Sequence, residues 1–595
     1  MRKICASALL FAVFGFGAAS VAAQTASDKV HALFDVYWEW QMREFPERAT
    51  AAGDHRYDDR LTDLSATALA RRKAATADFA RQLRGIDRDA LGGQDRVSYD
   101  TLTAVLDISL RRFAVFDAPD ASGADQWLAV TQQNGPQVGF GSLPMLVRLS
   151  RFASLADYRN YLKRLDAAPR ALAQLTAGLK RALARGWLPQ EAVVQRVPSQ
   201  LDALLDADLA KHPLYAPFER FPESISPADR KKLAAGARAS ITGRVIPALR
   251  QLRSFYVSEY LPACRKGPGA AAQPSWANYY AAEIAAQTTT ALTAREIHDL
   301  GLREVERIGR EMDAVTRDLG FQGDHKAFAD RIKSSPEFHY ANGAEMLAAY
   351  RAIAQRVEPE LPRLFADVPR LPYGIRAMPA AEGENAERYV RGTPDGSRPG
   401  YFEANVNNPA RRAKGDMVTL FLHEGVPGHH LQVARAMELR DLPMFRRQLF
   451  MPVYGEGWAL YAESLGEELG LYADPYAKFG YLSAEMLRAC RLVVDTGIHA
   501  LGWRREQAIR YLADNSGIPD GVATAEIDRY YVQPAQALAY KIGELKIKSL
   551  RAKAQAALGE RFDIRRFHNA LIDDGALPLS VLEQRIDDWI ARERQ

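Results

Sequence analysis

This sequence has few cysteines and no long block of charges of one sign. Three of its 595 residues are cysteines, too few for a disulfide framework or a thiolate metal site. The two that lie far from the N-terminus, Cys264 and Cys490, either pair in an oxidising compartment or are small buried residues. The formal charge of +5 comes without a long block of one sign, so neither nucleic acid nor a membrane surface is an expected partner.

The N-terminus has the form of a cleavable secretory signal peptide. Arg2 and Lys3 precede the apolar run 4–21, and small residues then favour cleavage after Ala23. Cys5 lies near the start of this run and not after it, which argues against a lipoprotein cleavage site. No later stretch is apolar for long enough to span a bilayer. We therefore expect an exported protein, periplasmic or secreted, without stable membrane insertion.

Helical periodicity dominates the rest of the chain and predicts a mostly α fold. A capping box, Thr293 with Glu296, supports one of the helices, and the clearest strand signal is the alternation at 400–408. Apolar residues recur at spacings of three and four in three long segments: 157–186, 227–261 and 293–320.

The segment 265–275, rich in glycine and proline, predicts a boundary between two helical lobes. With 1–23 removed as the signal peptide, the lobes are 24–270 and 271–595, and together they form one large domain. The strand signal at 400–408 lies just upstream of the histidine-rich segment described next. We therefore expect a large helical bundle with a small β element beside the candidate site.

Residues 421–432 read FLHEGVPGHHLQ and suggest a zinc hydrolase with unusual spacing. In the pattern H-E-x-x-H two histidines lie one helical turn apart, and the glutamate is the base for water at the metal. Here His429 is six residues after His423, ~240° round a helix, and His430 lies ~10.5 Å along the axis from His423. Two ligand nitrogens of one zinc are at most ~4.2 Å apart. An unbroken helix therefore brings neither His429 nor His430 to His423.

Pro427 and Gly428 solve the spacing problem. Proline has no N–H to donate and clashes with the carbonyl four residues back, and glycine tolerates unusual backbone angles. We expect them to loop out two residues, so that His429 takes the place of the second histidine beside His423. The alternative is a loop that happens to hold surface histidines.

The following helix, predicted at 454–470, offers a third metal ligand. Glu456 lies 27 residues after His429, and zinc in hydrolytic sites takes three protein ligands. Glu463, seven residues further on the same helical face, is placed to accept the spare N–H of a liganding histidine. The competing interpretations are an ordinary acid at a helix start for Glu456 and a solvated position for Glu463.

Several segments of this chain resemble the bacterial family called domain of unknown function 885, and the resemblance covers nearly the whole mature chain. In that family's pattern the histidine at 429 is retained and position 430 varies, which implies that His429 is the ligand. More remotely, the chain resembles helical gluzincin peptidases of the angiotensin-converting enzyme and thimet oligopeptidase type. The segments that carry the family resemblance are 45–65, 395–409, 423–432, 456–463, 491–503 and 534–547.

The gluzincin resemblance implies a clamshell of helices around the site and a late tyrosine that holds the oxyanion. Tyr540 is the first choice for this role, followed by Tyr531 and His499, although each also fits a hydrogen-bonded core position. On the predicted strand, Asn405 and Asn407 are candidates for aligning an extended peptide. Three cations are candidates for binding a substrate carboxylate, with structural ion pairs as the commoner outcome: Lys541, Arg491 and Arg529.

These observations lead to one functional hypothesis and two alternatives. We expect an exported peptidase that binds one Zn²⁺, or another divalent metal, through His423, His429 and Glu456. Glu424 is the general base and Tyr540 stabilises the oxyanion, and short peptides are the expected substrates of an oligopeptidase or dipeptidase. The alternatives are a zinc amidohydrolase or esterase with a non-peptide substrate, and a non-catalytic binding protein of the cell envelope.

Overall fold

The computed structural model describes residues 25–115, 126–139, 142–205, 208–266, 275–379 and 386–595. The predicted signal peptide, 1–23, lies outside these residues, as does most of the predicted lobe boundary at 265–275. Within the described ranges no helix combines the length and the apolar character needed to cross a membrane.

The part of the chain before residue 266 is helical. Two π-helical turns, Ile241–Val245 and Tyr256–Tyr260, join three of its helices into one rod, in agreement with the long helix predicted at 227–261. The α-helices described here are α1 (Ala26–Glu44), α2 (Pro46–Ala52), α3 (Ala66–Arg84), α4 (Gly93–Val115), α5 (Leu143–Leu149), α6 (Leu155–Ala184), α7 (Val197–Leu205), α8 (Pro227–Ser240), α9 (Ile246–Phe255) and α10 (Leu261–Ala263).

The part after residue 275 is also mainly helical and contains the predicted metal ligands. The capping box of Thr293 and Glu296 is present at the start of its second helix. The α-helices are α11 (Trp276–Thr288), α12 (Ala294–Asp318), α13 (His325–Ser334), α14 (Gly343–Val357), α15 (Asp416–Glu424), α16 (His429–Glu438), α17 (Met444–Arg447), α18 (Pro452–Ser464), α19 (Pro475–Ala500), α20 (Arg505–Ser516), α21 (Asp520–Val532), α22 (Ala539–Leu558), α23 (Ile564–Ile572) and α24 (Leu579–Glu593).

A small sheet precedes α15. Its strands are β1 (Tyr373–Ala377), β2 (Arg388–Val390) and β3 (Gly400–Ala404), in the order β1-β3-β2, with β3 parallel to β1 and antiparallel to β2. The prediction of a strand at 400–408 is confirmed for its first five residues. Asn405 and Asn407 lie just beyond the end of this strand, and their predicted role in aligning a peptide stays a prediction.

Two hydrophobic cores hold these elements together. The larger core runs from Val97 to Ile590 and is shared by both predicted lobes. The smaller one packs α1, α3 and α4 around Phe445 of α17. Cys264 and Cys490 are buried free thiols. The mostly α fold with a small β element is confirmed, and the division into lobes 24–270 and 271–595 stays a prediction.

The helices α18 and α22 approach each other closely because two glycines meet between them. A Cβ on Gly457 would lie 2.5 Å from the Cα of Gly543, and a Cβ on Gly543 would overlap the carbonyl oxygen of Val453. Side chains larger than hydrogen at either position would force the helices apart. Since Glu456 and Tyr540 lie next to this contact, it sets how near they come to each other.

Candidate metal centre

The histidine-rich segment is built as two helices with a sharp turn between them. α15 ends at Glu424 and α16 begins at His429, so residues 425–428 form the turn. Gly428 is needed there, because a Cβ would overlap the carbonyl oxygen of His423. The prediction that two residues loop out of one helix is therefore wrong: the chain leaves the first helix and starts a second one.

A hydrogen bond joins this turn to α18. The indole Nε1 of Trp458 on α18 donates a hydrogen bond to the carbonyl oxygen of Pro427 at 2.9 Å, and the Val426–Pro427 peptide bond is cis. α18 also carries Glu456, two residues before Trp458. One helix thus positions both the turn and the predicted third ligand.

The donor atoms of His423, His429 and Glu456 converge within 4.8 Å of one another. Glu456 Oε2 lies 3.6 Å from His423 Nε2 and 3.3 Å from His429 Nε2. Ligand atoms of a tetrahedral zinc ion are about 3.4 Å apart, given bonds of ~2.1 Å. The two imidazole rings are nearly perpendicular, at 85°. The spacing and chemistry of these three side chains fit a divalent metal such as zinc.

Glu463 is hydrogen-bonded to His423 through Nδ1, the ring nitrogen that does not face the other two donors. Its Oε1 lies 2.8 Å from His423 Nδ1, so Nδ1 carries the hydrogen and Nε2 faces the other two donors. Burial alone would lower the pKa of His423, but the hydrogen bonds to Glu456 and Glu463 raise it to about 9. Despite burial, the two histidines hold the pKa of Glu456 below its usual range. The carboxylates around these histidines therefore favour a positive charge at this point.

Two further residues contact Glu463, and the motif did not predict either of them. Thr419 Oγ1 donates to Glu463 Oε2 at 2.6 Å, and Arg488 Nη2 lies 3.4 Å from Glu463 Oε1. Thr419 lies one helical turn before His423 on α15. Helical spacing therefore could have predicted that the two side chains lie on the same face. Arg488 belongs to α19, and no sequence pattern connects it with the site.

Glu424 and Tyr540 line the same cavity as His423, His429 and Glu456. Glu424 is 8 % exposed, and burial raises its pKa. The Tyr540 ring is stacked against the ring of His423 at 6.3 Å. Burial, and then the charge of Glu456, raise the pKa of Tyr540, so its hydroxyl stays protonated and able to donate a hydrogen bond.

His430 points away from this cluster. Its ring is stacked on Tyr373 of β1 at 4.5 Å, and its Nδ1 lies 3.1 Å from the hydroxyl of Tyr389 on β2. Burial lowers the pKa of His430 to about 4. The structure thus brings His429 to His423, and it places His430 in the packing between α16 and the sheet.

Three candidates lie outside the lining of the cavity. His499 is buried against Trp276, and its Nε2 lies 3.0 Å from the carbonyl oxygen of Tyr530. Tyr531 packs against His499. Lys541 is fully buried and ion-paired with Glu485 at 2.6 Å. These positions do not fit the predicted oxyanion role of His499 and Tyr531 or the predicted contact of Lys541 with a substrate carboxylate.

Arg491 and Arg529 do line the cavity, and both are ion-paired. They share Glu526, whose Oε2 lies 2.8 Å from Arg491 Nη2 and 3.0 Å from Arg529 Nη2. The guanidinium of Arg491 also lies 4.5 Å from the centre of the Tyr540 ring. Arg491 is thus placed to hold Tyr540 in position.

The cavity has a volume of about 2720 Å³ and is lined from both predicted lobes. The α1–α2 region contributes Tyr37 and Arg48, and the metal cluster lies on the wall formed by α15, α16 and α18. Pockets that bind drug-sized ligands have volumes of ~300–1,000 Å³. The space is therefore large enough for a chain of several residues.

The fold and the cluster define a mostly helical protein with a candidate metal centre of two histidines and a glutamate. More particularly, residues 46–586 match the family described as "Bacterial protein of unknown function (DUF885)", and the chain belongs to this family. No curated protein matches this sequence.

Two solved structures are similar over nearly the whole chain. A candidate lipoprotein from Colwellia psychrerythraea is 27 % identical with a TM-score of 0.90, over 96 % of this chain and 100 % of that one. A candidate lipoprotein of unknown function from Shewanella oneidensis is 17 % identical with a TM-score of 0.70, over 94 % of this chain and 99 % of the other. The second likeness concerns the fold alone.

Proposed function

We propose that this protein is an exported, zinc-dependent peptidase that hydrolyses short peptides. The observation that carries the proposal is the convergence of His423, His429 and Glu456 on the wall of a large cavity. Glu424 and Tyr540 line the same cavity. Three protein ligands that leave a further position open are the arrangement of hydrolytic zinc sites. A binding protein would have no need of a buried carboxylate beside such a cluster.

The chain's own residues supply the steps of hydrolysis other than metal chemistry. When bound, zinc supplies a Lewis acid that activates water and polarises the substrate carbonyl. Glu424 takes a proton from the attacking water and passes it to the leaving amine, a role that suits a carboxylate whose pKa is raised. The Tyr540 hydroxyl donates a hydrogen bond to the developing oxyanion. Glu463 keeps His423 in the tautomer that presents Nε2.

The cavity and the N-terminus support the choice of substrate and compartment. A deep cavity lined mainly by helices admits short chains more readily than folded proteins, which favours oligopeptidase or dipeptidase activity. The N-terminal sequence has the form of a signal peptide, and both similar structures are described as candidate lipoproteins. These points favour export, and the expected partner is a peptide.

The test is a metal analysis of the purified mature protein together with mass-spectrometric profiling of a peptide mixture. We expect about one zinc per chain and cleavage that a chelator removes and added zinc restores. A parallel panel of simple amides and esters separates a peptidase from a zinc amidohydrolase or esterase. Absence of bound metal and of metal-dependent cleavage would overturn the proposal and favour a binding protein.

A further inference from the structure

Three arginines on the cavity wall have no acidic partner. They are Arg48 on α2, Arg391 directly after β2, and Arg398 shortly before β3, and all three line the cavity. No carboxylate of the described chain forms an ion pair with any of them. Their side-chain hydrogen bonds go to neutral oxygens: Gln41 Oε1 at 2.7 Å, Gln448 O at 3.5 Å and Ala51 O at 3.0 Å, respectively.

Arg391 lies close enough to Arg48 and Arg398 for their positive charges to act on it. Burial, together with the charges of Arg48 and Arg398, lowers the pKa of Arg391 to about 10. Burial also lowers the pKa of Arg48 and that of Arg398. The Nε atoms of Arg391 and Arg398 are buried and find no hydrogen-bond acceptor within the described ranges. Desolvated guanidinium groups without a paired counter-charge are unfavourable, and the charge of Asp395 offsets only part of this effect at Arg398.

Other arginines on the same cavity wall are paired at short distances with carboxylates, although Arg447, whose guanidinium donates to the carbonyl oxygen of Met437, is not. Three such pairs serve for comparison. The pairs are Arg388 with Glu403 at 2.7 Å, Arg412 with Glu387 at 2.8 Å and Arg491 with Glu526 at 2.8 Å. The wall therefore neutralises these arginines with protein groups, and it leaves Arg48, Arg391 and Arg398 without one.

The position of Arg391 relates this group to the candidate active site. β2 is an edge strand, and the backbone of its residue Tyr389 lies close enough to Glu424 to act against the rise of the pKa of that carboxyl. Arg391 follows two residues later, about 7 Å along an extended chain. Arg391 and the candidate base thus lie within the length of a short peptide of each other, and Arg48 and Arg398 line the same cavity.

We propose that Arg48, Arg391 and Arg398 form a subsite that binds a carboxylate of the substrate. The inference rests on the proposed function, since it takes the ligand to be a peptide. Guanidinium groups match carboxylates through paired N–H donors. A carboxylate supplies the missing negative charge and acceptors for the two unpaired Nε–H groups. It comes from the C-terminus of the peptide or from an aspartate or glutamate side chain, and in both cases the enzyme prefers anionic short peptides.

The first test measures binding without hydrolysis. The mature protein is titrated calorimetrically with glutarate, with its uncharged diamide, and with sulfate. We expect saturable binding of glutarate that Arg391→Gln and Arg398→Gln each weaken about tenfold or more. Arg310→Gln is the matched control, because Arg310 is exposed on α12 and pairs with Glu306; it should bind glutarate as the wild type does.

Several results of that titration would overturn the inference. They are no saturable binding of glutarate by the wild type, equal binding of the diamide, binding of sulfate without glutarate, or unchanged affinity in both arginine variants. Thermal unfolding checks the fold, and removing one of these charges should not lower the Tm. A lower Tm with unchanged glutarate binding would assign these arginines a structural role.

The second test separates the two sources of the carboxylate. Values of kcat/KM are compared for tetrapeptides with a free or an amidated C-terminus, and for tetrapeptides that contain glutamate or glutamine. We expect one of these pairs to differ about tenfold or more, and the difference to vanish in Arg391→Gln. Equal values within both pairs contradict the subsite even if the protein is a peptidase. Binding of glutarate without any hydrolysis would reject the peptidase and leave the carboxylate subsite standing.

Discussion

Tyr540 and Lys541 are neighbours on α22, yet they belong to two different groups of buried charge. Side chains of adjacent helical residues point ~100° apart, so Tyr540 faces the histidine cluster and Lys541 faces a different side of the helix. Lys541 is 0 % exposed, and its ammonium group is surrounded by three carboxylates: Glu485 at 2.6 Å, Glu544 at 2.6 Å and Glu304 at 3.1 Å.

The two groups differ in how their charges are satisfied. Around Lys541 further cations complete a closed network, with Arg307 2.7 Å from Glu485, and the network does not open onto the cavity. In the cluster of His423, His429 and Glu456, the donor atoms converge on one point of the cavity wall. Burial of charge is common to both groups, and convergence of donors on an accessible point is the property that marks a site. Substitutions in the Lys541 network should therefore lower the stability of the fold. Substitutions in the cluster should lower peptide hydrolysis.

The largest effect expected is the loss of turnover in Glu424→Gln. The substitution removes the general base but keeps the size of the side chain, so kcat should fall by about 10²–10⁴-fold. Zinc content should stay at the wild-type value and the Tm should not fall, because burial of the Glu424 carboxylate is itself unfavourable. Peptide cleavage assays and metal analysis on the same preparation check this. Undiminished turnover would remove Glu424 from the mechanism.

Lys541→Met should show the opposite behaviour. Removing one partner of a buried ionic network leaves charges uncompensated and destabilises a protein by about 3–5 kcal/mol. We expect a marked loss of stability in urea unfolding, with zinc content per folded molecule unchanged. Wild-type stability together with lost peptide hydrolysis would instead return Lys541 to the substrate site and break the distinction between the two groups.

A smaller effect is expected from Glu463→Gln, which changes the support of His423 but not the cluster itself. Loss of such hydrogen-bonding partners typically weakens metal affinity by about 10–100-fold. Competition with a chelator of known affinity measures the change. Glu467→Gln is a suitable control, since Glu467 lies on the protein surface and pairs with Lys478. An unchanged metal affinity in Glu463→Gln would show that Glu463 does not orient His423.

The sequence contained enough information to predict the contacts of the cluster that depend on local spacing. The distance between His423 and His429, the helix-breaking pair Pro427-Gly428 and the offset to Glu456 predicted which side chains meet. The exact path of the turn was not predictable, since Gly428 is required by a contact with the carbonyl of His423. That contact exists only once the turn between the two helices has formed.

The remaining differences between the predicted and the observed site come from packing between segments far apart in sequence. Whether Tyr540 or Lys541 faces the cavity depends on the glycine contact between α18 and α22, which brings Gly457 and Gly543 together. His430 is fixed by Tyr373 of the sheet. The arginine group on the cavity wall joins residues more than 300 positions apart, and no pattern of spacing reveals it.

Zinc stoichiometry of His429→Ala beside His430→Ala tests the central claim most directly. The two histidines are adjacent in sequence, and the structure directs His429 to the cluster and His430 to the sheet. We predict about one zinc per chain in the wild type and in folded His430→Ala, and a large loss of zinc in His429→Ala. Retention of zinc by His429→Ala together with its loss from His430→Ala would contradict the account.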